Sequence, residues 1–145
     1  MKALIQRVKN ASVTIDGELF SEIGYGMLIF LGVEKTDELE NAQKLADKLI
    51  NLRVFDDENG KMNKSLIDIR GEILVVSQFT LMGDCKKGTR PSFDKAAEAE
   101  KAKKLYEDFV KIFSQSDLLV KTGKFQAMMD ISLINDGPVT LLVEK

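Results

Sequence analysis

Ala3-Leu4-Ile5-Gln6-Arg7-Val8 and Ala11-Ser12-Val13-Thr14-Ile15, followed by Asp16-Gly17 and Glu18-Leu19-Phe20-Ser21-Glu22-Ile23, decide the fold class. Apolar and β-branched residues alternate with polar ones along these runs. An Asp-Gly pair between two such segments is a strong local signal for a two-residue hairpin. Working outward, Gly24 and Gly26 bracket a turn and Met27 to Val33 continues the β pattern. Arg53 to Phe55 reads as a short strand closed by the turn-like Asp57-Glu58-Asn59-Gly60, and Ile73 to Gln78 is the most strand-like run of the middle third. Two last strands, near Ala127 to Ile134 and Val139 to Val143, flank Gly137-Pro138.

Two segments carry a helical period instead. From Asp37 to Leu52, the residues Leu39, Ala42, Leu45, Ala46, Leu49 and Leu52 fall on one face. Thr36 is placed to cap this helix, and Asp37 and Glu38 suit the positive end of its dipole. From Asp94 to Phe113, the stripe is Ala102, Leu105, Tyr106, Phe109, Val110 and Phe113, with Ser92 or Asp94 as the cap. Strands joined by short turns and interrupted by two helices predict an α+β fold. Its sheet is mostly antiparallel, strongly curled and barrel-like, with two α-helices. No linker, repeat or low-complexity stretch divides the 145 residues, so 1–145 is expected to form a single domain.

Composition narrows the function. A hydrophobic share of 44% with 30% charged residues is that of an ordinary soluble protein. The apolar run Met27 to Leu31 is too short to span a bilayer, and Met1 to Val8 lacks the apolar core of a signal peptide. One cysteine, Cys85, forbids an internal disulfide and suits a reducing compartment, so a cytoplasmic location is expected. A net charge of −2 offers no general attraction to polyanions. Contact with nucleic acid has to come from a local patch. Lys86, Lys87 and Arg90, extended by Lys101, Lys103 and Lys104, are the candidates; an ordinary solvated surface explains them equally well. The chain contains no histidine, which excludes Ser-His-Asp and Cys-His mechanisms. No phosphate-binding glycine pattern appears, and no EF-hand continues from Asp56-Asp57-Glu58, so neither cofactor nor metal is expected.

Two segments remain as candidate chemistry. Ser77-Gln78-Phe79-Thr80-Leu81 emerges where a buried strand ends. Its side chains either satisfy the strand end or form the polar floor of a pocket, with a backbone N–H of Phe79 or Thr80 as an oxyanion donor. Asn135-Asp136-Gly137-Pro138-Val139-Thr140 places proline between two strand-like runs. It is a plain turn or a rigid main-chain surface suited to rejecting one stereoisomer. Arg7, in an apolar-alternating strand, either faces solvent or has a buried partner. The Met128-Met129 pair reads as packing.

In order and at matching length, these segments resemble the D-aminoacyl-tRNA deacylase family. The similarity runs from Ala3–Val8 and Ala11-Ser12-Val13 through Gly32-Val33, Gly60-Lys61-Met62-Asn63 and Val75–Leu81. It continues through Arg90-Pro91-Ser92-Phe93 to Asn135–Thr140. The resemblance implies that fold, hydrolysis of D-aminoacyl-tRNA at its 3′ end, and a homodimer with active sites at the interface. It implies that Gly137 and Pro138, joined by a cis peptide, enter the partner's pocket and exclude L-aminoacyl groups, with Arg7 holding them. Ser77, Gln78, Phe79 and Thr80 would line that pocket, the Phe79 amide serving the oxyanion, and Phe125 and Met129 would lie near the terminal adenosine. The 2′-hydroxyl of that adenosine would assist water, with Thr80 as nucleophile the older alternative. No DNA or membrane partner is implied. Gln126 and Met128 depart from the family, which usually has glycine or alanine and often aspartate there. A sibling editing deacylase acting on another mischarged aminoacyl-tRNA, glycyl-tRNA included, and a noncatalytic dimeric RNA-binding module are the competing readings.

Overall fold

The computed structural model describes residues 1–145, and its organising element is β1 (Lys2–Ile15), the strand expected as two pieces. Along one edge β1 pairs antiparallel first with β3 (Gly26–Gly32) and then with β2 (Glu18–Ile23). Along the other edge it pairs with β8 (Asp130–Glu144) over nearly its whole length. The hairpin forms at Asp16-Gly17, whose φ values of 52° and 81° are both positive. That is the geometry for which Asp-Gly is selected between twisted strands.

β3 continues the sheet to β6 (Glu72–Ser77), and β6 to β7 (Val120–Thr122), both parallel. The expected antiparallel majority is therefore joined by two parallel pairings, which require long crossovers. Helices fill those crossovers: α1 (Leu39–Ile50) and α2 (Leu66–Ile69) lie between β3 and β6, and α3 (Ala99–Phe113) between β6 and β7. A small hairpin of β4 (Phe55–Asp56) and β5 (Met62–Lys64) sits in the first crossover. The Ser21 hydroxyl donates to the Thr122 carbonyl at 2.8 Å, drawing β2 against β7 so that the sheet nearly closes.

Period-two alternation sorts the core onto two faces. Ala3, Ile5, Met27, Ile29, Leu31, Ile73 and Val75 pack with Leu45, Leu49, Phe109 and Phe113 of the helices. Val8, Ala11, Val13, Ile23, Leu28, Leu74 and Val76 form a second cluster on the opposite face. No helix is long and apolar enough to cross a membrane.

The helix starts differ from expectation because the expected residues are engaged elsewhere. α1 begins after Glu38, not Thr36, and the Glu38 N–H donates to Asn41 Oδ1 at 2.9 Å. Asp37 is withdrawn from the helix start. Buried, it accepts from the Met1 amine at 2.5 Å and from the Glu34 N–H at 2.6 Å. α3 begins after Glu98 because residues 95–97 are bridged to residues 33–35, the Lys35 N–H on the Lys95 carbonyl and the Ala97 N–H on the Val33 carbonyl, each at 3.0 Å. Ser92 and Asp94, the expected caps, bond to each other instead. The four-residue α2, capped by Ser65, is too short to leave a periodic signal.

Gly26 sets how closely β3 and β6 approach, since a Cβ built there would lie 1.9 Å from the Glu72 carbonyl oxygen. Gly26→Ala is expected to lose at least about 3 kcal/mol, because backbone rather than a flexible side chain has to yield. A urea midpoint that falls with an unchanged slope checks it.

Candidate functional site

β6 ends at Ser77, whose partner on β3 is Leu31. One further bond, from the Gln78 N–H to the Leu31 carbonyl at 2.7 Å, holds the chain as it leaves the sheet. It then tightens into a single 3₁₀ turn, Phe79–Met82. Gly32 makes room for this turn: a Cβ there would meet Met82 Cε at 2.8 Å and Leu81 Cβ at 3.1 Å. Within the turn the Leu81 N–H reaches the Gln78 carbonyl at 3.2 Å and the Gly83 N–H reaches that of Thr80 at 3.0 Å. The Phe79 and Thr80 amides open the turn, where N–H groups lack an intrahelical acceptor. Gln78 Nε2 donates to Thr80 Oγ1, so that hydroxyl already accepts a bond and its own proton is turned elsewhere.

These residues line one wall of a cleft of about 910 Å³, and Phe125, Gln126, Ala127, Met128 and Met129 line another. The floor is apolar, from Leu31, Val33 and Ala102. Six sequence-predicted residues therefore converge: Ser77, Gln78, Phe79, Thr80, Phe125 and Met129. Gln126 stands in the left-handed region at φ 60°, where a glycine carries no penalty, and it too lines the cleft. Met128, expected as packing, is almost fully exposed. Behind the cleft, Tyr106 stacks on Phe125 with ring centroids 5.8 Å apart. Its hydroxyl donates to the Val75 carbonyl at 2.9 Å, pinning α3 to β6 close to Ser77. Burial pushes the Tyr106 phenol up to about 12, against a smaller lowering by Thr122.

Lys86, Lys87 and Arg90 occupy an exposed loop closed by mutual backbone bonds of Asp84 and Ser92 at 2.7 and 3.0 Å. The Phe93 ring just beyond packs on Phe79 at 5.1 Å, so the basic loop stands at the rim of the cleft.

Gly137, Pro138 and Arg7 are not in this cleft. The expected pair of strands flanking a turn is instead one strand, β8, which slips in register against β1. Gln6 faces Thr140 and Val8 faces Asn135, leaving residues 136–139 opposite Arg7 alone. The surplus forms a bulge whose Gly137-Pro138 peptide is cis and whose Gly137 has φ +127°. Asn135 closes it, accepting from the Val139 N–H at 2.9 Å and donating to Thr140 Oγ1 at 2.7 Å.

Arg7 is 5% exposed, so the solvent-facing alternative is set aside. Its Nε donates to the Asp136 carbonyl and lies 3.1 Å from the Asp136 carboxylate. Its Nη1 donates to the Val54 carbonyl at 2.8 Å and to Asp56 Oδ1 at 3.2 Å. Tyr25 shares this neighbourhood. Burial raises its pKa, Arg7 lowers it, and Asp136 and Asp56 raise it further. Arg7 pairs with Met27, four residues along β3 from the cleft residue Leu31, a separation of about 13 Å at strand rise. One chain thus carries two separate clusters.

β8 also pairs with no strand other than β1, and its side chains Ile134, Leu141 and Leu142 are exposed. Asp56, Val54 and Tyr25 went unnoticed in the sequence; Asp56 reads there as part of a turn, and only the fold brings it to Arg7.

A family model described as D-Tyr-tRNA(Tyr) deacylase matches residues 4–144. The chain is 58% identical over 144 residues to a D-aminoacyl-tRNA deacylase of Thermosipho africanus, covering 99% of this chain and 97% of that protein. It is 56% identical over 143 residues to one of Thermodesulfovibrio yellowstonii, covering 99% and 98%. A solved structure described as c-Myc DNA Unwinding Element Binding Protein superposes with TM-score 0.95 at 43% identity, over 100% of this chain and 99% of that one. Another, described as a probable eukaryotic D-amino acid tRNA deacylase, shares the fold at TM-score 0.87 and 14% identity, over 99% and 98%.

The Tyr106 phenol gives a pH signature. The unfolded phenol ionises near its ordinary value of 10 and the folded one near 12. Between these values the unfolded state holds fewer protons, so stability falls as pH rises. Relative to Tyr106→Phe, the wild type is expected to lose up to about 1.4 kcal/mol per pH unit across this window and nothing below it. Urea unfolding of both proteins from pH 9 to 12 measures the difference.

Proposed function

Because the chain belongs to the D-Tyr-tRNA(Tyr) deacylase family, and is a D-aminoacyl-tRNA deacylase and hence a hydrolase, we propose how its cleft performs and restricts that hydrolysis. The aminoacylated 3′ end of tRNA enters between Ser77–Thr80 and Phe125–Met129, and the basic residues Lys86, Lys87 and Arg90 at the rim hold its phosphates. The protein works in the cytoplasm as a homodimer, in which the Gly137-Pro138 bulge of one subunit completes the cleft of the other.

The observation that carries this reading is the separation of the two clusters. A bulge fixed by a buried arginine projects where its own chain has no cleft, beside an unpaired strand edge with exposed Ile134, Leu141 and Leu142. An isologous pairing is the economical way to bring two such features together, because the same contact is made twice.

In the cleft, water attacks the ester carbonyl carbon. The 2′-hydroxyl of the terminal adenosine assists as a relay, receiving the water proton as the C–O bond forms and passing its own to the departing 3′ oxygen. The bond to the 3′ oxygen then breaks, that oxygen is protonated, and free amino acid leaves tRNA with a 3′-hydroxyl. The Phe79 amide donates to the developing oxyanion, a type of contact that contributes several kcal/mol when preorganised. With no histidine in the chain, Thr80 has no imidazole to take its proton, and its bond from Gln78 suits a pocket-lining role. Gly137 and Pro138 offer main chain where an L-aminoacyl side chain would project, so L-substrates are rejected by shape while glycine, with no side chain, passes as a secondary substrate. This is chiral proofreading of aminoacyl-tRNA.

Purified protein is expected to release tyrosine from D-tyrosyl-tRNA, to spare L-tyrosyl-tRNA, and to cleave glycyl-tRNA more slowly. Cleavage of the L form alone would assign a sibling editing activity, and binding without cleavage a noncatalytic module. Thr80→Val is expected to retain turnover within about tenfold of wild type. Complete loss of turnover with binding intact would make Thr80 the nucleophile.

A further inference from the structure

Asp136 cannot by itself fix the Gly137-Pro138 bulge to the body of the protein, because it belongs to the bulge. Its partner, Arg7, is fixed at its Cα by β1, but the guanidinium stands at the end of a flexible stem with several rotatable bonds. What decides where that group sits is the set of acceptors on its far side. Two are present, the Val54 carbonyl at 2.8 Å and the Asp56 carboxylate at 3.2 Å, and both come from the segment that enters the β4–β5 hairpin. The guanidinium is thus gripped from the bulge and from the hairpin at once. It also packs on the bulge directly: Nη2 would lie 3.1 Å from a Cβ built on Gly137.

The hairpin is built to hold its end of this contact. Asp57 accepts from the Asn59 N–H at 2.8 Å, the Lys61 N–H at 3.0 Å and Asn63 Nδ2 at 2.7 Å. The Asp57 N–H in turn donates to the Lys61 carbonyl at 2.7 Å. Asp56, immediately before this closed turn and paired with Met62, has little freedom to move away. Electrostatics favours the same arrangement. A guanidinium this buried requires compensation, and two carboxylates on opposite sides hold it at one point between them. Asp56 is the only group of that chemistry supplied from outside the bulge.

We propose that Asp56 is a positioning residue for substrate discrimination, setting the place of the Gly137-Pro138 bulge through Arg7. This rests on the proposed role of the bulge as the stereochemical filter. Asp56 touches no substrate; displacement of the filter by a fraction of an ångström is what its loss would cause, and positioning errors of that order alter rates severalfold to a hundredfold.

The test is the ratio of D- to L-tyrosyl-tRNA cleavage, measured as kcat/KM for each, with the urea midpoint recorded beside it. Asp56→Ala is expected to lower the ratio roughly tenfold, mainly through faster cleavage of the L form. The urea midpoint should fall only modestly, since Asp136 and the Val54 carbonyl still compensate the guanidinium and the Asp56 side chain is 45% exposed. Asp56→Glu should recover most of the ratio, and Asp56→Asn, which keeps an acceptor but loses the charge, should fall between. Glu58→Gln, in the same hairpin but paired with Lys64, should leave it unchanged. A wild-type ratio in Asp56→Ala, while Arg7→Lys or Gly137→Ala lowers it, would overturn the inference and leave the filter standing. Indifference of the ratio to all three would remove the filter, and this inference with it.

Discussion

A guanidinium taken out of water has to find acceptors for its charge. In this protein those of Arg7 are drawn from three places: the bulge at Asp136, the carbonyl of Val54 and the carboxylate of Asp56. The arrangement exists because β1 and β8 are out of step where it occurs, four residues on β8 facing one on β1. Had the two strands kept register, β8 would run past as an ordinary edge, and an inward arginine on the core face of β1 would be costly. The slip and the buried charge thus require each other, and the Gly137-Pro138 segment is lifted out of the sheet by that mutual need. Everything proposed about selectivity depends on this local exchange of ladder hydrogen bonds for charge-assisted ones.

The cleft follows from a different constraint, the end of a parallel pairing. β6 leaves the sheet after Ser77, where its ladder with β3 ends at Leu31 and the residues after β3 pair instead with Ala96 and Ala97. The 3₁₀ turn that follows exposes amides and short polar side chains at one point. Gly32 and the Tyr106 hydroxyl fix that point from either side. The hydrolysis proposed for this cleft draws on main-chain donors and placement of this kind, in keeping with a chain that has no imidazole.

Much of this was legible in the sequence, and the exceptions share a cause. The hairpin at Asp16-Gly17, most of the buried stripe of each long helix and the polar strand end at Ser77–Thr80 are local signals and are legible. Leu39, expected on the buried face of α1, is instead exposed at the helix start, and Leu52 lies beyond its end. The parallel direction of β6 and β7 is not local, since alternation is the same in either direction. Helix α1 starts at Leu39 because Asp37 is engaged by the Met1 amine, a contact across 36 residues that no capping rule contains. Asp56 reads as one acid among three in a turn, and its meeting with Arg7 spans 49 residues. Gly137-Pro138 was recognisable as a special backbone segment, but a turn and a bulge have the same composition; only the register against β1 separates them.

A surface made of glycine and proline main chain has an unusual mutational profile. Gly137 tolerates no side chain, with φ +127° and atoms of Val139 and Arg7 within 3.1 Å of any Cβ, so no graded series of substitutions can reshape it from within. Variation that adjusts it has to arise in the residues that hold it, where changes of one carbon or one charge are available. Under the proposed role of this surface as the filter, selectivity would drift from the periphery inward, while the surface itself stays chemically constant.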